Sequence, residues 1–284
     1  MVTDRIAAFP RRGGARPQVF LRSGIWLYVW SLPLALFLIS PFPILIFYLL
    51  RIPLWEETGS ALVRQAFQLT LQTSLATVLA ALVMGTPLAY LLARQRFPGK
   101  TLVEGLVELP IVVPPIAAGV LLLLVFGRQG ALGPLLERMG ISLPFTPAGV
   151  VTAQLFISVP FYIRGARLGF MMVPKELEEA AAVDGASSIR IWQHVRLPLA
   201  FPGMFSGLIL CWARAVGEFG ATYLFAGNMP GRTQTMPLAI LSAMESDLGA
   251  ALLLTGILTA LAFATLLSAW LLVGGRGESS LALY

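Results

Sequence analysis

Charge is scarce in this sequence. Asp, Glu, Lys and Arg make up 12% of its 284 residues, where a soluble chain carries about a quarter. Cysteine and histidine occur once each. A single thiol, Cys211, excludes an intrachain disulfide and a cysteine-built metal cluster. It lies in an apolar run and reads as a small core residue. The lone His194 has no Cys or carboxylate at ligand spacing and reads as a helix-surface residue, so no metal site is expected. No nucleophile–base pair supports an enzyme active site. "FPGKT" (Phe97–Thr101) holds half of a phosphate loop. Arg94 stands where the pattern needs its first Gly, and no buried strand precedes it, which excludes ATP binding by this chain. No internal repeat is visible.

Apolar residues make up 57%. Crossing the hydrocarbon layer as a helix takes roughly 20 of them in a row. Six runs qualify, at about 25–50, 67–93, 106–127, 148–172, 199–226 and 250–273. They are too continuous for alternating barrel strands, so the expected class is an all-α membrane protein with six transmembrane helices. Pro33, Pro41 and Pro43 predict kinks in the first. The charge of +6 is distributed by topology rather than as a nucleic-acid patch. Fourteen Lys and Arg lie in one set of loops, among them Arg5, Arg94, Arg164, Arg190 and Arg276, and five in the other, at Arg51, Arg64, Arg128, Arg138 and Arg232. Arg214 is left inside a span. The positive-inside rule then places both termini and the 164–198 loop in the cytoplasm. The chain divides into a basic segment 1–24, a membrane domain 25–273 and a tail 274–284. The first apolar run is too long for a signal-peptide core, so an uncleaved span is expected.

Between the fourth and fifth runs lies a charged insert, "EEAAAVDGASSIRIWQHVRLPLAFP" (Glu178–Pro202). Over 174–198 it predicts two helices. Pro174 suits a first helical position, and Glu176, Glu178 and Glu179 sit at the positive helix start. Gly185 suits a left-handed stop, Ser187 a cap, and Pro198 is expected to block the second helix beyond Leu197. Ile191, Trp192 and Val195 fall close together as an apolar wedge offered to the cytoplasm. Such a wedge is a partner surface or an amphipathic helix resting on headgroups.

The same stretch resembles the cytoplasmic loop of bacterial ATP-binding-cassette importer permeases, through Glu179, Ala180, Ala181, Asp184, Gly185, Leu197 and Pro198. "VELPIVVPPIAAGVLLL" (Val107–Leu123) looks like the third-span motif of molybdate and sulfate permeases. "ARAVGEFGATYLFAGNMPGRTQTMPLAI" (Ala213–Ile240) is similar to the molybdate pattern in particular. The resemblance covers about 60–273. It implies a type I importer permease fold in the cytoplasmic (inner) membrane of a bacterium or archaeon. It further implies that the loop, with Ile191 and Trp192, couples to an ATPase subunit. The implied partners are a second copy of the chain, two ATPase subunits that hold ATP and Mg, an external substrate-binding protein, an oxyanion and membrane lipid, with no nucleic acid. The chain itself would bind no cofactor and would not be an enzyme. Sulfate, thiosulfate or tungstate is the alternative substrate.

Two features of the spans carry chemistry. Arg214 and Glu218 lie inside the fifth, where ionisable groups are costly and face protein or a watery path. Four residues apart, they share a helix face and can pair, and Thr222 continues that face. Ala213, Gly217 and Ala221 form a small stripe beside it, and Gly203 and Gly207 a further small pair, on which another helix can approach closely. The pair lines a translocation path or fixes helix rotation. Pro110, Pro114 and Pro115 bend the third span, as a gate or as a static kink. An ion-coupled secondary transporter is the rival from another class. It usually shows inverted repeats and midplane carboxylates, and here only Glu218 is deep.

Overall fold

The computed structural model describes residues 24–52 and 60–269. The basic segment before Gly24 and the tail 274–284 lie outside the described residues. Two units are separable, up to Tyr48 and from Leu49 on. All regular structure among the described residues is helical.

The first unit holds α1 (Gly24–Ile39) and α2 (Pro41–Leu49, whose last residue belongs to the second unit). Pro33 is carried within α1, and the turn at Ser40 falls just before Pro41. Proline has no N–H to continue the helical ladder, which fixes the break there. The residues Trp26–Leu49 are nevertheless together long and apolar enough to cross a membrane.

The second unit is built on three long helices: α3 (Ala61–Arg94), α7 (Pro147–Met171) and α10 (Leu197–Val216). Thr146 caps α7 by accepting the Gly149 N–H, and Pro147 occupies its first turn, where a missing donor costs nothing. α7 and α10 meet along a glycine seam. A β-carbon at Gly165 would stand 2.6 Å from the Gly207 Cα, and one at Gly203 2.6 Å from the Gly169 Cα. Only glycine permits that backbone approach, the device by which membrane helices pack where hydrophobic force is weak. The expected small pair Gly203/Gly207 is thus consumed inside the chain. The interior is lined with small residues such as Ala81, Ala89, Ala153, Ala166 and Ala200, while Leu79, Val83, Met84, Leu106 and Val112 point outward. That is the arrangement of a protein whose solvent is lipid.

The expected spans are only partly single helices. Trp26–Leu49, Ala61–Arg94, Ser188–Val216 and Leu248–Ser268 are each long and apolar enough to cross, and α7 with α8 (Lys175–Val183), into which it bends by 61°, counts as a fifth when the pair is taken as one span. The expected third span is two short helices, α4 (Lys100–Val112) and α5 (Pro115–Phe126). Pro110 is tolerated inside α4, but consecutive Pro114 and Pro115 supply no N–H and end it. The expected fifth span stops at Val216 and resumes as α11 (Gly220–Ala226). Here the Glu218 carboxylate accepts the Ala221 N–H at 2.9 Å, a donor that a continuous helix would have given to a backbone carbonyl. After α11 the chain forms α12 (Met236–Ser246) and α13 (Leu248–Ala269). The short α6 (Gly133–Arg138) lies between α5 and α7. The expected end of the last span at 270–273 lies outside the described residues.

Pro198 does not stop its helix. α9 (Ser188–Ile191) widens into a π-helical turn over Trp192–Arg196 and runs on into α10. The Leu197 N–H bonds the Trp192 carbonyl, five residues back. The wider turn absorbs the proline, whose missing donor falls in the first turn of α10.

Candidate functional site

The charged insert folds as expected at its corner. Gly185 has φ of +80°. Its N–H bonds the Ala182 carbonyl at 3.0 Å and the Ala186 N–H bonds the Ala181 carbonyl at 2.9 Å. The two bonds form the Schellman stop that a left-handed glycine permits. Ser187 accepts the Arg190 N–H and starts α9. Pro174 precedes α8 as its cap, one place before the expected position.

The wedge faces the other way from the expectation. Ile191 is buried, and Trp192 stacks on Phe170 at 5.5 Å and meets Tyr90 edge-on at 4.8 Å. An indole and a branched aliphatic gain more by packing on the ends of α3 and α7 than by facing water. Leu197 is half-buried and Pro198 exposed. The outward face of the insert carries Leu177, Glu179, Ala180, Val183, Asp184 and Ile189, with Val183 88% exposed.

Glu178 ties this face to the bundle, and sequence reasoning gave it no such role. Its carboxylate pairs with Arg94 at 3.1 Å and takes two bonds from Arg196, at 2.8 and 3.0 Å. Arg94 is the last residue of α3 and also donates to the Val173 carbonyl. The Arg196 guanidinium lies 5.3 Å from the Tyr90 ring centroid, within cation–π range. Two further rungs, Glu104–Arg167 at 2.7 Å and Glu108–Arg164 at 3.1 Å, hold α4 to α7. The insert is therefore a rigid corner, fixed by charge and aromatics to the ends of α3, α7 and α10.

The second cluster lies deeper. Arg214 and Glu218 pair at 2.6 Å, with Glu218 1% exposed. They do not share a continuous helix, since α10 has ended at Val216; the carboxylate reaches back across the break. Gly217 is exposed at the break and Ala213 and Ala221 stand on separate helices, so Ala213, Gly217 and Ala221 do not form one continuous helix face. Ala221 instead meets Gly119 of α5, and Gly220 packs against Pro115. The two helix breaks, at Val113–Pro114 and Gly217–Phe219, therefore lie side by side. Thr222 is fully buried and its hydroxyl has no hydrogen-bond partner among the described residues.

A polar seam along α3 also went unnoticed in the sequence. Thr70 accepts the Met236 N–H, Ser74 accepts from the Trp212 indole at 3.1 Å, and Thr77 donates to Gln154 at 3.0 Å. Cys211, buried as expected, donates to Ser158 at 3.4 Å. Hydroxyls at positions 70, 74 and 77 recur at helical spacing in an apolar run, which is the signal that marks an internal face. His194 sits on the surface with Nδ1 3.1 Å from the Arg190 carbonyl.

Comparison with known proteins matches residues 85–273 to the family of binding-protein-dependent transport system inner membrane components. The molybdenum transport system permease protein ModB of Haemophilus influenzae is 39% identical over 211 residues, covering 72% of this chain and 92% of that protein. The sulfate transport system permease protein CysW of Synechococcus elongatus is 36% identical over 207 residues, 71% of this chain and 72% of that one. Among solved structures, a bacterial ABC transporter involved in the import of the acidic polysaccharide alginate superposes with a TM-score of 0.68 at 17% identity, covering 92% of this chain and 99% of that one. At that identity the likeness concerns the fold.

Proposed function

The chain belongs to the family of binding-protein-dependent transport inner-membrane components, and from that premise we propose that it is the membrane subunit of an ATP-driven molybdate importer. The observation that carries the mechanism is the corner held by Glu178. A loop that transmits force must be stiff, and this one is clamped to three long helices while presenting Glu179, Ala180, Val183 and Asp184 outward. An ATPase subunit closing on that face would move the ends of α3, α7 and α10 together. The glycine seam makes α7 and α10 shift as one body.

Motion of that body reaches the paired breaks. The break that holds Glu218 stands beside Pro115, through Gly220, where a second helix is already interrupted. Such breaks rearrange without unravelling a whole span, and in this reading they form the gate. An Arg paired with a Glu leaves little net field, which suits passage of a dianion better than its tight capture. The pathway is completed by a second copy of the chain. ATP and Mg sit on the partner ATPase, and an external binding protein delivers the substrate. Molybdate rests on the ModB relative, and sulfate is the second reading on the weaker likeness to CysW.

The test is uptake in proteoliposomes holding this chain, its ATPase and the cognate binding protein. ATP-dependent accumulation of labelled molybdate is expected, with little sulfate. Sulfate uptake at equal or greater rate moves the assignment to the second reading. Uptake driven by an ion gradient without ATP removes the chain from this mechanism.

A further inference from the structure

The two halves of the expected third span are held by different forces. α5 is packed. Its Ala118, Gly119 and Leu122 are buried, and a β-carbon at Gly119 would stand 2.6 Å from the Leu224 Cβ of α11. α4 is not. Of its 13 residues only Pro110 is buried. Val103 and Val107 rest partly buried on the core, while Leu102, Leu106, Leu109 and Val112 are exposed. The remaining hold is charge. Arg164 grips Glu108 with two prongs, Nε and Nη2, each 3.1 Å from a carboxylate oxygen. Glu104 meets Arg167 at 2.7 Å and has Lys100 of its own helix at 3.9 Å. The carboxylates lie one turn apart on α4 and the guanidinium groups one turn apart on α7, so each set shares a helix face. Ion pairs this open to solvent hold weakly and are screened by salt, whereas the close glycine packing of α5 leaves no room to shift. The chain can also turn at both ends of α4. Gly99 before it has φ of +83°, with nothing within 4 Å of a β-carbon placed there. After it, Pro114 and Pro115 supply no N–H.

We propose that α4 is the moving half of this span, a lever that pivots at Gly99 and at Val113–Pro114, and that Glu104 and Glu108 are the positioning residues that make it follow α7. This rests on the reading of the chain as an ATP-driven importer subunit with its gate at the paired breaks. Arg167 lies about one turn before the end of α7, where the coupling corner begins. Movement of that corner reaches Arg167 and Arg164 first, and the ion pairs hand it to α4. α5 is kept from following, because Pro115 is seated against Gly220, and Gly119 against Ala221 of α11. The difference is taken up at Val113–Pro114, next to the break that holds Glu218. A plain proline kink would bend passively. Here charge on one face of the lever decides which neighbour it travels with.

The experiment uses the assembled permease–ATPase complex in nanodiscs, with spin-labelled chains diluted by unlabelled copies. Leu102→Cys on α4 is paired with Leu121→Cys on α5 and, separately, with Leu168→Cys on α7; all three leucines are exposed. Between the nucleotide-free and the ATP-trapped complex, the α4–α5 distance is expected to change and the α4–α7 distance to hold. The reverse pattern, or no change in either, would overturn the lever. Transport in proteoliposomes tests the ion pairs. The rung at 108 and 164 is the cleaner one, because Lys100 also meets Glu104. Glu108→Arg and Arg164→Glu should each lower molybdate moved per ATP about tenfold with hydrolysis retained, and the swap E108R/R164E should recover most of it. Residues that only stabilise the fold would lower assembly and leave that ratio unchanged. A wild-type ratio in the single variants, or a swap no better than either, would overturn the positioning role. Joining E104C/R167C with a short bifunctional maleimide should leave uptake working, since lever and α7 travel together; a block would show that α4 must part from α7 and would sink the proposal. A wild-type complex with no ATP-dependent uptake of any oxyanion would bring down the importer reading itself, whatever the distances do.

Discussion

Glu178 holds two cations, and among the described residues no other anion pairs with them: Arg94 and Arg196 both converge on its carboxylate. Its side chain is 16% exposed, so the network is shielded but not dry. Removing it leaves two guanidinium groups facing each other. Glu178→Ala is expected to cost about 2–3 kcal/mol of local stability and to uncouple hydrolysis from uptake, measured as molybdate moved per ATP. An unchanged ratio with normal assembly would show that the clamp transmits nothing. Gly185 gives a cleaner probe of docking, because no atom lies within 4 Å of a β-carbon placed there. Within this chain Gly185→Val therefore acts through the backbone, by about 1–2 kcal/mol. It is expected to abolish uptake and reduce copurification of the ATPase, whereas Gly185→Asn, which tolerates positive φ, should retain both. The corner was legible in the sequence because its signals are local: a left-handed glycine, a serine cap, acids at a helix start. Glu178 was hidden because its partner Arg94 belongs to a different helix, and nothing in local spacing joins them.

At the scale of elements, the sequence revealed apolar runs but not their continuity. Pro114 and Pro115 were visible, yet whether a proline pair bends a helix or ends it depends on what the freed carbonyls meet. The break at Gly217–Phe219 was less visible still, because an i, i+4 Arg–Glu pair is also the mark of an unbroken helix. What decided it was Glu218 taking the Ala221 N–H, a competition between side chain and backbone that periodicity does not register. The pair can be tested by a double-mutant cycle. Arg214→Leu and Glu218→Leu should each lower the yield of assembled complex more than the double variant, because a single change leaves one charge uncompensated. A double variant that assembles but does not transport would assign the pair to the pathway, and mild additive effects would deny that it is a pair. The glycine seam was half legible. Gly203 and Gly207 stood out as a surface for close approach, but the partner helix α7 lies within the chain. Gly203→Leu places a side chain into the Gly169 backbone and is expected to cost about 3 kcal/mol or more, seen as loss of the monodisperse protein on gel filtration.

For the whole molecule, the question is where one oxyanion is told from another. Molybdate and sulfate differ mainly in size. Discrimination on that basis needs a closed cage of donors that the wrong ligand leaves unpaired. The described residues offer nothing of that kind near the breaks. Arg214 is neutralised by Glu218, and Thr222 contributes a single free hydroxyl. A tight site there would also hinder release, since conduction needs binding weak enough to leave. Recognition is then expected to belong to the external binding protein, and gating to this chain. Calorimetric titration of the purified permease–ATPase complex should reveal no submicromolar molybdate site. Hydrolysis should respond to the loaded binding protein and not to free oxyanion. Submicromolar binding to the complex alone would reverse this division of labour. Loss of that binding in Thr222→Val, a near-isosteric change that removes only the hydroxyl, would place the recognition site at the helix breaks themselves.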